Sequence, residues 1–95
     1  ISVKMKIVKL NRRFKQFRAG HTMALRFSYM NAAAIAVERV CRDRLGGHGW
    51  DRHGAWCSYF GDRNGHSSRR TYWITFRRES DLSFVLLSAD LTQND

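Results

Sequence analysis

The chain has 95 residues, of which 43% are hydrophobic and 13% aromatic, with no proline, which fits one domain spanning 1–95 around a modest core. Seventeen Lys and Arg against eight Asp and Glu leave a net charge of +9, a balance suited to polyanionic partners. No apolar run approaches the about 20 residues needed to cross a bilayer, no secretory pattern opens the chain, and two cysteines make no disulfide framework, so the expected setting is cytoplasmic, with reduced thiols and no membrane partner.

The segment 1–21 reads as a basic strand and loop. In "VKMKIVKL", Val3, Met5 and Ile7 alternate with Lys4 and Lys6, the pattern of a half-buried strand. "NRRFKQFRAG" then sets Phe14 and Phe17 among Arg and Lys, either as two apolar anchors of a basic loop or within a long hairpin turn ending at Gly20. The stretch 22–91 reads as an α+β core, followed by a short tail, 92–95. "TMALRFSY" alternates Met23, Leu25 and Phe27 with Ala24, Arg26 and Ser28. Asn31 is a suitable N-cap for "AAAIAVERVCRDRL", whose Met30, Ala34, Val37, Cys41 and Leu45 form an apolar stripe at helical spacing. Glu38 and Arg42 are a favourable pair four apart, and Gly46-Gly47 ends the helix.

"HGWDRHG" is a polar turn region, "AWCSYF" an aromatic strand, "GDRNGHSSRR" a polar hairpin loop containing Asn64-Gly65, and "TYWITFRR" the next strand. Ser80 as cap and Asp81 in a first turn favour a helix over "LSFVLLSADL", although "LSFVLL" alone also suits a buried strand. The expected fold is therefore a small α+β domain: an antiparallel sheet with two helices on one face and the other face open. From Thr22 the order is β-α-β-β-α, the ferredoxin-like split β-α-β order without its last strand. The extra N-terminal strand is placed at the vacant edge.

Charge is unevenly distributed. Up to Val37 there are eight basic residues and no acid, whereas the remainder holds nine basic and eight acidic residues. Eight of the nine net charges thus lie in the first 37 residues, an electrostatic footprint for nucleic acid. The expected phosphate contacts are Lys9, Arg12, Arg13, Lys15, Arg18, Arg26, Arg69, Arg70 and Arg77. RNA or single-stranded DNA is favoured over duplex, because no helix carries a row of base-reading polar residues. The alternative is an interaction or assembly protein that forms a homo-oligomer through an edge strand or the aromatic sheet face.

No cofactor, metal or catalytic residue is assigned. Cys41, His48, His53 and Cys57 are zinc-ligand types, but their spacing is not that of a finger, and both thiols read as core. "DRH" at 51–53 with Asn64 and His66 has the wrong order for a ββα-metal nuclease. An RNase-type hydrolase would use His48, His53 or His66 with Arg69 or Arg70 on phosphate; this is the third reading.

The stretch "RRTYWITFRRESDL", 69–82, resembles the third strand and following turn of an RNA-recognition motif. Arg69, Trp73, Ile74 and Phe76 fit that signature, while Arg70, Thr71 and Tyr72 stand where the family has glycine, an aromatic and a small residue. The resemblance implies an open sheet face with Trp73 as a base-stacking ring. The face of the preceding signature strand offers Ala24, Arg26 and Ser28 instead of an aromatic. The passage through an acidic pair into a Phe-rich helix also resembles small phage proteins, which implies action in a host cytoplasm. Alternation places Tyr72, Ile74 and Phe76 towards the helices and Trp73 and Arg77 on the opposite face. There Trp73 either meets a base or is covered by Phe14 or Phe17.

Overall fold

The structure, a computed structural model, describes residues 5–28, 30–50, 53–61 and 71–89. Their order is β1 (Met5–Lys9), α1 (Lys15–Arg18), β2 (Met23–Phe27), α2 (Ala32–Val40) continuing into a π-helical segment (Cys41–Leu45), β3 (Trp56–Phe60), β4 (Tyr72–Phe76) and α3 (Glu79–Ser88). The four strands form one antiparallel sheet in the order β1-β2-β4-β3. The N-terminal strand lies beside β2 at one edge, and β3 forms the other.

Strand parity divides the apolar residues into two cores. Leu25 and Phe27 of β2, Trp56 of β3, and Tyr72, Ile74 and Phe76 of β4 meet Ala33, Ala34, Val37 and Cys41 of the long helix and Leu82 and Val85 of α3. The helix α2 forms where expected. Asn31 Oδ1 accepts the Ala34 N–H at 2.9 Å, and Gly46 at φ +76° ends the π-helical segment. The Gly46 carbonyl then accepts Trp56 Nε1–H at 2.6 Å, which ties the helix end to β3. Of the expected stripe, Ala34, Val37 and Cys41 are fully buried, whereas Met30 is exposed. The chain after β4 is a helix and not a strand. It begins at Glu79 with Arg78 in the cap position and no side-chain cap bond, so Ser80 lies inside the first turn.

The expectation of an open second sheet face is overturned. Leu10 and Phe14 pack on Ala24 and Trp73, with Val8 and Tyr59 at the margin, so a second small core occupies that face. The physical cause is local. Asn11 turns the chain, its side-chain Oδ1 accepting the Arg13 N–H at 2.9 Å and its carbonyl the Phe14 N–H at 3.0 Å. That turn swings Phe14 inward. One turn of helix, α1, follows, so helical structure lies on both faces of the sheet. Gly20, at φ +102°, then returns the chain to β2, and a Cβ there would collide with Arg77 Nη1. His21 enters fully buried, its Nδ1 2.9 Å from Thr75 Oγ1.

Candidate nucleic-acid interface

The outer face of the sheet carries a row across its four strands, in which register pairs Lys6 with Arg26, Arg26 with Trp73, and Trp73 with Tyr59. Lys6 and Arg26 are exposed at one end of this row, and Trp73 is buried further along it. The segment that roofs the face presents Arg12, Arg13, Lys15 and Arg18 outward, while Phe14 and Gln16 point in. Lys9, at the end of β1, is exposed as well, at the edge of the sheet, although its pairing with Met23 gives it the helix-side parity. One amphipathic segment thereby does two jobs: its apolar residues close the second core and its cations coat it.

The sheet separates this basic layer from a neutral one. All described acids, Glu38, Asp43, Glu79 and Asp81, lie in α2, its π-helical continuation or α3. They stand there with Arg39, Arg42, Arg44 and Arg78, four bases to four acids. Glu38 is itself engaged. Its Oε1 accepts Arg42 Nη2 at 2.6 Å and Nε at 3.0 Å, and its Oε2 accepts the Tyr72 hydroxyl at 3.0 Å. Burial, ahead of the charge of Glu38, holds the Tyr72 phenol above its ordinary range.

Trp73 is not an open-face residue. It is 5% exposed. Phe14 meets its ring edge-on at 5.5 Å, Tyr59 lies parallel to it at 6.1 Å, and its Nε1–H donates to the Gly61 carbonyl at 2.8 Å. Phe14 therefore covers the indole, while Phe17 remains partly exposed. Arg77 is also committed to structure. Its Nε donates to the Gly54 carbonyl at 3.0 Å and its backbone N–H to the Ala55 carbonyl at 3.1 Å. Arg69, Arg70 and His66 lie outside the described residues, as does most of the loop between β3 and β4.

Cys41 and Cys57 are both buried free thiols. Cys41 belongs to the helix-side core, and Cys57 pairs in register with Thr75 of the opposite parity. The sheet thus divides the two thiols that a zinc site would need together. Burial, then the charges of Glu38 and Asp81, pushes the Cys41 thiol up to about 12.

Two features went unread in the sequence. Lys15 and Arg18 join Ala19 and His53 around a cleft of about 400 Å³. Trp50, in the turn region before β3, is 77% exposed, and the His48 ring lies against it at 4.5 Å. The signal was present in "GGHGWDRHG". An aromatic ring between a glycine and a charged residue, with no strand or helix period around it, has no apolar face to enter. Comparison with known proteins assigns no family: no family model, no curated protein and no solved structure matches the chain.

Proposed function

We propose that this protein is a small nucleic-acid-binding domain that prefers RNA or single-stranded DNA and engages phosphates through Lys9, Arg12, Arg13, Lys15, Arg18 and Arg26. The observation that carries this reading is the division of charge by the sheet: an outer layer of exposed cations with no acid among the described residues, and a helix layer where charges cancel. A one-sided cationic layer concentrates polyanions and releases their counterions when they bind. Duplex readout fits poorly. The helix within the basic layer, α1, has four residues, about 6 Å of axis, too short to lie along a major groove.

The scaffold we infer is ferredoxin-like. β4 lies between β2 and β3 and is antiparallel to both, as a split β-α-β unit requires, and β1 takes the edge where that fold has its last strand. The likeness of 69–76 to an RNA-recognition motif then contributes charge rather than a stacking platform, since Trp73 is roofed.

The test is a salt titration of binding to single-stranded RNA, single-stranded DNA and duplex DNA. Affinity for single strands is expected to exceed that for duplex and to fall steeply with salt. Arg12→Ala with Arg13→Ala is expected to weaken all sequences alike and to flatten the slope. Binding that ignores both salt and this pair would overturn the reading.

One observation favours self-association as a second reading. Among the described residues β1 pairs only with β2, and Ile7 on this edge strand is 51% exposed. An unpaired edge is a template for a second copy. Light scattering without nucleic acid reads this directly: a dimer whose size changes on removal of residues 1–8 supports it, and a monomer at high concentration excludes it.

A further inference from the structure

Cationic residues account for attraction to any strand but not for a preference for unpaired bases. Building on the nucleic-acid reading, we propose that Trp50 stacks a base of a single strand while Lys15, Arg18 and His53 hold the phosphate beside it. Trp50 shows 77% of its surface, whereas Trp56 and Trp73 show 2% and 5%. An indole is a large flat stacking surface, and one this exposed offers its face to a base. His48 lies against it at a ring distance of 4.5 Å and a tilt of 39°, which orients the indole.

The backbone beneath Trp50 is fixed. The Gly49 carbonyl accepts the Ser58 N–H of β3. Gly49 sits at φ +81° so close to β3 that a Cβ would meet Trp56 Cζ3 at 2.6 Å. The ring therefore follows directly on an anchored residue, which limits the freedom it loses on binding.

The cleft lies within covalent reach of Trp50, and Arg77 holds its two sides together. His53 follows Trp50 by three residues, so their Cα atoms are at most about 11 Å apart. One nucleotide advances a stacked strand by about 3.4 Å, so a few nucleotides span that interval. Arg77 donates to the Gly54 carbonyl next to His53, and its guanidinium packs against Gly20 at the end of the α1 turn. It thereby brings the His53 turn and the Lys15–Arg18 helix to the same end of the sheet, where they share the 400 Å³ cleft. The occupant is a single strand because stacked bases of a duplex have both faces covered by their neighbours, whereas an unpaired base exposes one.

The experiment compares four ligands: a short oligouridylate, the matching oligodeoxythymidylate, an abasic deoxyribose-phosphate strand of equal length, and a duplex. Trp50→Ala is expected to weaken both base-bearing single strands about 5- to 150-fold, the equivalent of roughly 1–3 kcal/mol per stacked base. Abasic-strand and duplex affinity and the thermal midpoint are expected to stay unchanged, and Trp50→Phe to restore part of the loss. Base-bearing strands should quench the fluorescence of the native protein, and Trp50→Phe should abolish that quenching. Lys15→Gln with Arg18→Gln is expected to weaken base-bearing and abasic strands alike. Unchanged single-strand affinity in Trp50→Ala, with the native protein binding well, overturns the Trp50 site and leaves the nucleic-acid reading standing. Equal loss on abasic strands also overturns it, because the ring would then not be reading a base. A native protein that binds none of the four overturns both.

Discussion

At the scale of single residues, the two tryptophans Trp73 and Trp50 have opposite expectations. Truncating Trp73 removes its edge-on packing with Phe14, its parallel packing with Tyr59 and its buried hydrogen bond to Gly61. Trp73→Ala is therefore expected to cost about 3–5 kcal/mol of stability, measured by urea unfolding, and a variant as stable as the native chain would mean that the second core adds nothing to the fold. Cys41 makes a pH claim. Its thiol is raised from 9.0 to about 12 by burial first, so the folded state keeps a proton that the unfolded state releases. The sign follows: stability is fully present below about pH 9, and falls as pH rises from there towards 12. Cys41→Ala should make that alkaline decline shallower, and an identical pH profile would show that the thiol does not contribute. The parity of Trp73 was legible from alternation alone. Its cover was legible only as an alternative, by Phe14 or Phe17, because a roof depends on where a distant segment returns; the structure selects Phe14 and adds Leu10.

Among the elements, α2 and α3 differ in how plainly they announce themselves. α2 has a capping Asn31, an alanine-rich body and small buried residues on one side, and each of these signals is local. α3 has apolar residues all round. Leu82 and Val85 face the core, while Phe84 and Leu87 face outward, so periodicity alone could not distinguish it from a buried strand. The same asymmetry gives a test. Leu82→Ala is expected to cost about 2–5 kcal/mol, whereas Leu87→Ala, at a side chain 87% exposed, should lie within about 0.5 kcal/mol of the native chain. Equal losses at both positions would place α3 in a different rotation. α1 was missed because a four-residue helix is fixed by the inward Phe14 and the Asn11 turn rather than by propensity, and an isolated helix so short is unstable in water.

For the whole molecule, the question is whether position or only total charge attracts a polyanion. The sequence already showed that 8 of the 9 net charges precede Glu38. It could not show that the sheet would put Lys6, Arg12, Arg13, Lys15, Arg18 and Arg26 on one side and every described acid on the other. Two double variants separate the alternatives, since each lowers the formal charge from +9 by the same amount. Arg12→Gln with Arg13→Gln removes charge from the outer layer, and Arg39→Gln with Arg44→Gln removes it from the helix layer. All four side chains are exposed, so neither pair should disturb folding. If the outer layer holds the strand, the first pair should flatten the dependence of log affinity on log salt by about 0.7 for each phosphate of a single strand that is no longer neutralised. The second pair should leave that slope nearly unchanged, because its charges lie among compensating acids across the sheet. Equal flattening by both pairs would mean that net charge alone draws the polyanion, and flattening by the second pair alone would put the interface on the helices.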